Sequence, residues 1–243
     1  MRLTVVGCWS PYPAPGSACS AYLVESDQTA LLLDCGHGAM AQLFTYIKPE
    51  RLNGVVITHS HPDHYNDLPA LRHYWRSRRF LGQKLPPLPV WFPPGDKESQ
   101  RWLQVPELEV KAASGVDRAG NLELEFWEGQ HAIPTCLVKI KAGNQSLLYT
   151  GDTAYSEKMI AASRGSDLVV AECTLPPSEA HLSQQLGHLT WEECGRWGTR
   201  SETPRLVATH LWPEYDREEI RQAVAREYQG SLMIAEPGMV VEW

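Results

Sequence analysis

The sequence contains no pair of cysteines spaced Cys-x-x-Cys, no run of eighteen apolar residues and no excess of positive charge. Each absence closes a class of explanation. The six cysteines (Cys8, Cys19, Cys35, Cys136, Cys173, Cys194) lie far apart in a chain of 243 residues, which is no disulfide framework. Buried thiols in a reducing compartment are the expectation, with only Cys35, beside an acidic turn, standing out. Without a long apolar run no membrane span is expected. The opening Met1-Arg2-Leu3-Thr4-Val5-Val6-Gly7-Cys8 has no apolar segment with a cleavage site behind it, so a soluble, cytoplasmic protein is expected. Lys and Arg number 22 against 29 Asp and Glu, a net charge of −7, and no global basic field advertises nucleic acid. An apolar share of 43% over this length allows one large domain or two small ones with a real core.

What the sequence does have is His59-Ser60-His61-Pro62-Asp63-His64, directly after the apolar run Gly54-Val55-Val56-Ile57-Thr58. That run reads as a buried strand, so the cluster falls on the loop leaving its C-terminal end, where open α/β sheets place ligands. Alternate side chains of extended backbone share a face, so His59 and His61 can point at one metal ion. Asp63 and His64, where the chain turns toward a helix, can reach a second. Imidazole and carboxylate suit Zn2+, and Mn2+, Fe2+, Co2+ or Ni2+ accept the same ligands. The plainer reading is a polar turn rich in histidine.

In chain order, a first strand over Arg2 to Val6 leads into a proline-rich turn, Cys8 to Ser17, either a simple connection or a set of backbone N–H groups open to an anion. Ser20 to Glu25 and Thr29 to Leu33 read as a hairpin, followed by a helix from Ala39 to Ile47. Asn66-Asp67 offers an N-cap for a helix running to Phe80. Five prolines between 85 and 95 surround a short strand at Val90-Trp91-Phe92. Strands at Glu107 to Ala112 and Asn121 to Glu128 follow, and then a second hairpin, Leu137 to Lys141 with Ser146 to Tyr149. Helices at Ser156 to Arg164, Thr190 to Thr199 and Asp216 to Tyr228 alternate with strands at Leu168 to Ala171 and Arg205 to Ala208, and short strands close the chain. The halves echo each other: Leu31 to Gly36 matches Leu147 to Asp152, and Val55 to His59 matches Leu206 to His210. One domain over 1–243, built from two similar halves, is the expected organisation.

Four loop ligands cannot close two metal spheres. His131, Asp152 and His210 each stand at another predicted strand end, although singly each could be a surface or hydrogen-bonded core residue. Together with the hexapeptide, His131, Thr150-Gly151-Asp152-Thr153 and Thr209-His210 resemble the metallo-β-lactamase superfamily almost from end to end. The resemblance implies an α/β fold, a four-layer αββα sandwich of two mixed sheets flanked by helices. It implies two divalent metal ions at one edge, one on His59, His61 and His131, the other on Asp63, His64 and His210, with Asp152 on both.

Ala171-Glu172-Cys173-Thr174 and Gly187-His188-Leu189-Thr190 are similar to segments of the ribonuclease Z and small phosphodiesterase branch. There the histidine sits near the scissile phosphate with the glutamate behind it, which implies catalytic roles for His188, Glu172 and Asp63. Without the resemblance, His188 is a residue ahead of a helix cap and Glu172 a surface carboxylate. The long Gly/Pro-rich arm of ribonuclease Z is missing and the chain is acidic, so a small phosphodiester or nucleotide is favoured over long RNA. The implied chemistry is attack on phosphorus by hydroxide generated at the metal pair. The alternatives are a lactonase or thioesterase with the same metals, and a non-catalytic metal-binding regulatory protein. A homodimer is admitted and no membrane partner is expected. Arg72, His73, Arg76, Arg78 and Arg79, with Tyr74 and Trp75, form either a solvated basic face or a phosphate clamp, and Trp212 and Tyr215 either pack on a base or sugar or belong to the core.

Overall fold

Runs such as Leu31-Leu32-Leu33 and Val55-Val56-Ile57 leave no polar face, so a strand made of them must be covered on both sides. The computed structural model, which describes residues 1–243, shows how this is done. β1 (Arg2–Gly7), β2 (Ala21–Ser26) and β3 (Thr29–Leu33) are followed by α1 (Ala39–Leu43), β4 (Gly54–Val56), α2 (Pro62–Tyr65), α3 (Leu68–Phe80), β5 (Leu88–Phe92), α4 (Lys97–Leu103) and β6 (Leu108–Ala112). β7 (Gly115–Ala119), β8 (Leu122–Glu128), β9 (Cys136–Ala142) and β10 (Gln145–Tyr149) then lead to α5 (Glu157–Ser163), β11 (Leu168–Glu172), α6 (Ser183–Leu186), α7 (Trp191–Arg200) and β12 (Arg205–Thr209). α8 (Arg217–Glu227), β13 (Ser231–Ile234) and β14 (Val240–Glu242) finish the chain.

The strands form two seven-stranded sheets, ordered β14-β1-β2-β3-β4-β5-β6 and β13-β12-β11-β10-β9-β8-β7. Both are mixed. From β3 to β6 and from β10 to β13 neighbours run parallel, and the remaining pairs are antiparallel. Leu31, Leu33 and Val56 of the first sheet meet Leu147, Tyr149 and Val170 of the second in one buried layer. Their alternates, Ala30, Leu32 and Val55, face outward onto Leu43, Leu68, Leu71 and Trp75 of α1 and α3. On the far side Leu148, Val169 and Ala208 face Ile160, Trp197, Ile220 and Val224 of α5, α7 and α8. The period-two alternation of each strand therefore feeds two apolar layers, and the result is a four-layer αββα sandwich. No helix is long and apolar enough to cross a membrane.

The hairpins and most of the expected helices lie within a residue or two of their expected places, with informative differences. α1 ends at Leu43, four residues short, and the edge strand β7 and the helices α2, α4 and α6 are additional. β7, Gly-Val-Asp-Arg-Ala, carries no apolar alternation because it lies at the sheet edge and is largely exposed. Asp67 stands ahead of α3 as expected, but its carboxylate accepts from the Met40 amide at 2.9 Å instead of capping its own helix.

The basic segment of α3 resolves differently along its length. Arg72 pairs with Glu107 at 3.3 Å, Arg78 with Glu50 at 2.9 Å, and Arg79 donates to the carbonyls of Leu85 and Pro106. These three arginines tie the proline-rich 85–107 segment and a neighbouring loop to the helix, which leaves Arg76 exposed and without such a partner. Trp75 is a core residue, 2% exposed, with its indole N–H on the Pro86 carbonyl. Trp75→Ala should therefore cost about 3–5 kcal/mol of stability, read as a lowered urea midpoint, with Trp75→Phe costing less.

Candidate metal centre

The parallel topology brings the C-terminal ends of β4, β10, β11 and β12 to one edge of the sandwich, and every side chain of interest projects there. The loop after β4 delivers His59, His61, Asp63 and His64; the segment between β8 and β9 delivers His131; the turns after β10 and β12 deliver Asp152 and His210. His59 Nε2 and His131 Nε2 lie 3.1 and 3.0 Å from His61 Nδ1. Asp152 Oδ2 faces this group, 3.5 Å from His59 and 3.9 Å from His131. Its other oxygen, Oδ1, lies 3.2 Å from His64 Nε2 and 3.3 Å from His210 Nε2, with Asp63 Oδ2 3.3 Å from His210.

Two sets of nitrogen and oxygen atoms thus converge on two points that share one carboxylate, and each set could hold a metal ion. A tetrahedral zinc with its usual Zn–N bonds separates ligand nitrogens by about 3.3 Å, close to the spacings of the first set. Asp152 Oδ1 is buried with no hydrogen-bond donor, an arrangement costly for a carboxylate unless a cation faces it. Burial and the neighbouring imidazoles hold His59 well below the usual histidine range, and burial lowers His61 and His131 too, which keeps all three in the neutral form that ligates metal. His64 behaves oppositely. Burial disfavours its charge, but Asp152, Asp34 and Asp63 together push it well above the ordinary value, a measure of how strongly these carboxylates call for a cation. Asp152 itself, although burial opposes its ionisation, is held far below the usual range by His210, His64 and His59.

The back sides of the imidazoles are anchored. His64 Nδ1 donates to Asp34 at 2.7 Å, His131 Nδ1 to the Gly187 carbonyl at 2.9 Å, and His210 Nδ1 to Thr174 Oγ1 at 2.8 Å. Asp34 also accepts from the Thr58 amide and hydroxyl and from Tyr149, all from a backbone at φ +57°. His210 sits at φ +61°, a second non-glycine residue held in the left-handed region at the site. Gly151, at φ +53°, has no such latitude to spare, because a Cβ there would come within 2.7 Å of Thr58 Cβ, next to His59.

Glu172 and His188 come to the same place. His188 Nδ1 is 3.1 Å from Glu172 Oε2 and 3.9 Å from Asp152 Oδ2. Burial works against charge on His188, but the adjacent, hydrogen-bonded Glu172 outweighs it and pushes its pKa up to about 9. Asp152, His188 and His210 are also within mutual ligand distance, but His188 Nδ1 is engaged by Glu172. Glu172 further accepts from the Thr153 amide at 2.6 Å and from the Thr174 hydroxyl, so one buried carboxylate joins His188 to the backbone beside Asp152 and, through Thr174, to His210.

A cavity of about 310 Å³ opens over this array, lined by Ser10, Pro11, Pro62 and by His61, Asp63, Asp152, His188 and His210. A larger one, about 570 Å³, touches the array only through His131. In the proline-rich turn after β1 the amides of Trp9, Ser10 and Ser17 are taken by the carbonyls of Ala18, Leu211 and Ala14, while Ser10 Oγ donates to Asp63 at 3.0 Å. Cys35 is buried with its thiol pushed well above the ordinary range, first by burial and then by Asp67 and Asp34, so it is inert. Asp34 and Thr174 are the additions that sequence reasoning passed over. Asp34 follows a strand just as Asp152 does, so the same criterion applies to it; Thr174 stands in the Glu172 segment, but no spacing there marks it as a partner of His210. Asp96, which accepts from Ser60 inside the hexapeptide and caps α4, is a third.

The chain matches the family model described as Metallo-beta-lactamase superfamily over residues 14–210. It is 30% identical over 246 residues to a protein named probable metallo-hydrolase YhfI from Bacillus subtilis, with all of both chains covered. The crystal structure of YhfI superposes with a TM-score of 0.94 at 28% identity, covering 99% of this chain and 98% of that one. Ribonuclease Z of Haloferax volcanii is 23% identical over 304 residues, covering 100% of this chain and 95% of the relative. A diphosphatase of the PhnP family shares the fold, with a TM-score of 0.75 at 17% identity over 100% of this chain and 97% of that one. Proteins of this superfamily bind divalent metals, usually two, which fits the paired histidine and aspartate sets described above. With a family model spanning most of its length and a relative matched from end to end, the chain belongs to the metallo-beta-lactamase superfamily.

Proposed function

We propose that this metallo-hydrolase is a phosphodiesterase with two divalent metal ions, acting on a small, singly charged phosphodiester. The observation that carries the reading is the His188–Glu172 pair, 3.1 Å apart, set beside Asp152 and facing the same cavity as Asp63 and His61. Displacement at phosphorus expels an alkoxide as the attacking oxygen bonds, and an acid at this position would protonate that departing oxygen. His59, His61 and His131 on one side and Asp63, His64 and His210 on the other, with Asp152 between, would hold the ions. Bound there, the ions supply Lewis-acid charge and acidify water.

The remaining work falls to the chain's own residues. Asp63, which lines the cavity, accepts a hydrogen bond from the attacking water and so orients it. His188 has Nδ1 occupied by Glu172, which leaves Nε2 to the cavity as the proton donor to the departing oxygen. Glu172 keeps that imidazole charged and fixed in direction. No Lys or Arg lines the cavity, so little beyond the metal charge and His188 is available for anionic groups. That inventory supports one negative charge on the substrate and disfavours long RNA, whose binding rests on many Lys and Arg contacts. The ribonuclease Z relative supports phosphoester chemistry in general.

Full-length protein loaded with Zn2+ should carry two metals per chain by elemental analysis. Stripping with a chelator should abolish hydrolysis of a model phosphodiester and lower the melting temperature, with both restored by Zn2+. His61→Ala and Asp152→Ala should lose metal. His188→Ala should keep both metals while kcat falls by about 10²–10⁴-fold; unchanged turnover in that variant removes the role given to His188. Parallel assay of a lactone decides between phosphorus and carbon, since preferential lactone turnover overturns the phosphodiester reading.

A further inference from the structure

A second cavity, about 280 Å³, adjoins the one over the metal ligands and shares Ser10, Pro11, His61 and His188 with it. Its character is different. Beyond the shared residues its wall is Leu175, Leu186, Ala132 and Trp212, with His131 and Thr174 on the side of the metal ligands, and again no Lys or Arg. Trp212 is held flat by Tyr215, whose ring lies 5.3 Å away at an interplanar angle of 7°, and Tyr215 abuts Trp191 edge-on at 5.4 Å. Leu186 is 41% exposed, an apolar side chain left open to the cavity. Its position is set by the same turn that carries His188, because Gly187 offers its carbonyl to His131 and stands so close that a Cβ would meet His131 Cα at 2.7 Å. A pre-stacked indole, an exposed leucine and a wall without Lys, Arg or carboxylate, with His188 at the shared side, describe a slot for a flat, uncharged ring.

We infer that this cavity is a subsite for an uncharged aromatic or heteroaromatic ring carried by the substrate, with Trp212 as the stacking platform and Leu186 as the opposite wall. The cavity meets the reacting centre along His188 and His61, and in this scheme the ring belongs to the group whose oxygen His188 protonates. The subsite rests on the proposed hydrolase reading only for its use in turnover, and binding probes it separately. Trp212 is a specificity residue in this scheme, touching the ring and not the reacting atoms.

The test uses the zinc-loaded full chain, its Trp212→Ala and Trp212→Phe variants, and two matched pairs: phenyl and ethyl esters of methylphosphonate, titrated as ligands, and phenyl and ethyl acetate, assayed for hydrolysis. The readout is the phenyl-to-ethyl preference of each protein, compared between wild type and variant so that intrinsic reactivity cancels. Trp212→Ala should lower the preference roughly tenfold, which is about 1.4 kcal/mol, and Trp212→Phe should restore most of it, with two metals per chain throughout. A preference that is equal in wild type and Trp212→Ala for both pairs overturns the subsite. A Trp212-dependent preference on the acetates, with no phosphonate bound, overturns the phosphodiester reading while leaving the subsite in place.

Discussion

The carboxylate of Asp152 lies buried where the two sheets meet, each oxygen turned toward a different set of imidazoles. A charge in that position is tolerable only if cations face it, and the surrounding structure is arranged to that end. Asp63 adds a second buried negative charge, and Asp34 a third behind His64. Such a concentration of carboxylate within an apolar sandwich makes no sense as a stabilising device, because hydrophobic residues of the same volume would serve at least as well. It makes sense as a site built to hold positive charge.

Rigidity follows from the layers on either side. Leu31, Leu33 and Val56 pack against Leu147, Tyr149 and Val170, and the strands carrying them end within reach of one another. Tyr149 serves both levels, since its ring lies in this layer while its hydroxyl donates to Asp34 at 2.6 Å. The unusual backbone at Asp34 and His210 is held by the same packing, so the strain needed to aim two side chains is carried by the sandwich. Glu172 does for the second sheet what Asp34 does for the first: one buried carboxylate collects several donors and fixes the direction of an imidazole.

The histidine-rich hexapeptide was legible because its residue types and its place after a β-branched run both point to metal. His131, Asp152 and His210 were legible by their shared position at strand ends. Of the two internal echoes, Leu31 to Gly36 against Leu147 to Asp152 aligns strands with matching neighbours, since Asp34 and Thr150 donate their amides to Val56 of β4 and Val170 of β11. The other echo sets β4 against β12, although hydrogen bonding makes β11 the counterpart of β4. Short apolar runs ending in Thr-His resemble each other whichever strand they form. The arginines of α3 were ambiguous for a related reason, since helical spacing fixes which residues share a face but not whether a partner such as Glu107 or Glu50 awaits them.

The sequence by itself therefore determined most of the strand pattern, the layered class of the fold and the residue types able to bind metal, because these depend on local periodicity and on chemistry within a few positions. Only the tertiary structure decided which oxygen of Asp152 faces which histidines, that Thr174 links His210 to Glu172, and that Trp212 stands stacked on Tyr215 beside His188. Those facts join residues far apart in the chain. They are set by how two sheets register against each other and by which strand ends meet, and no spacing within the sequence encodes that distance.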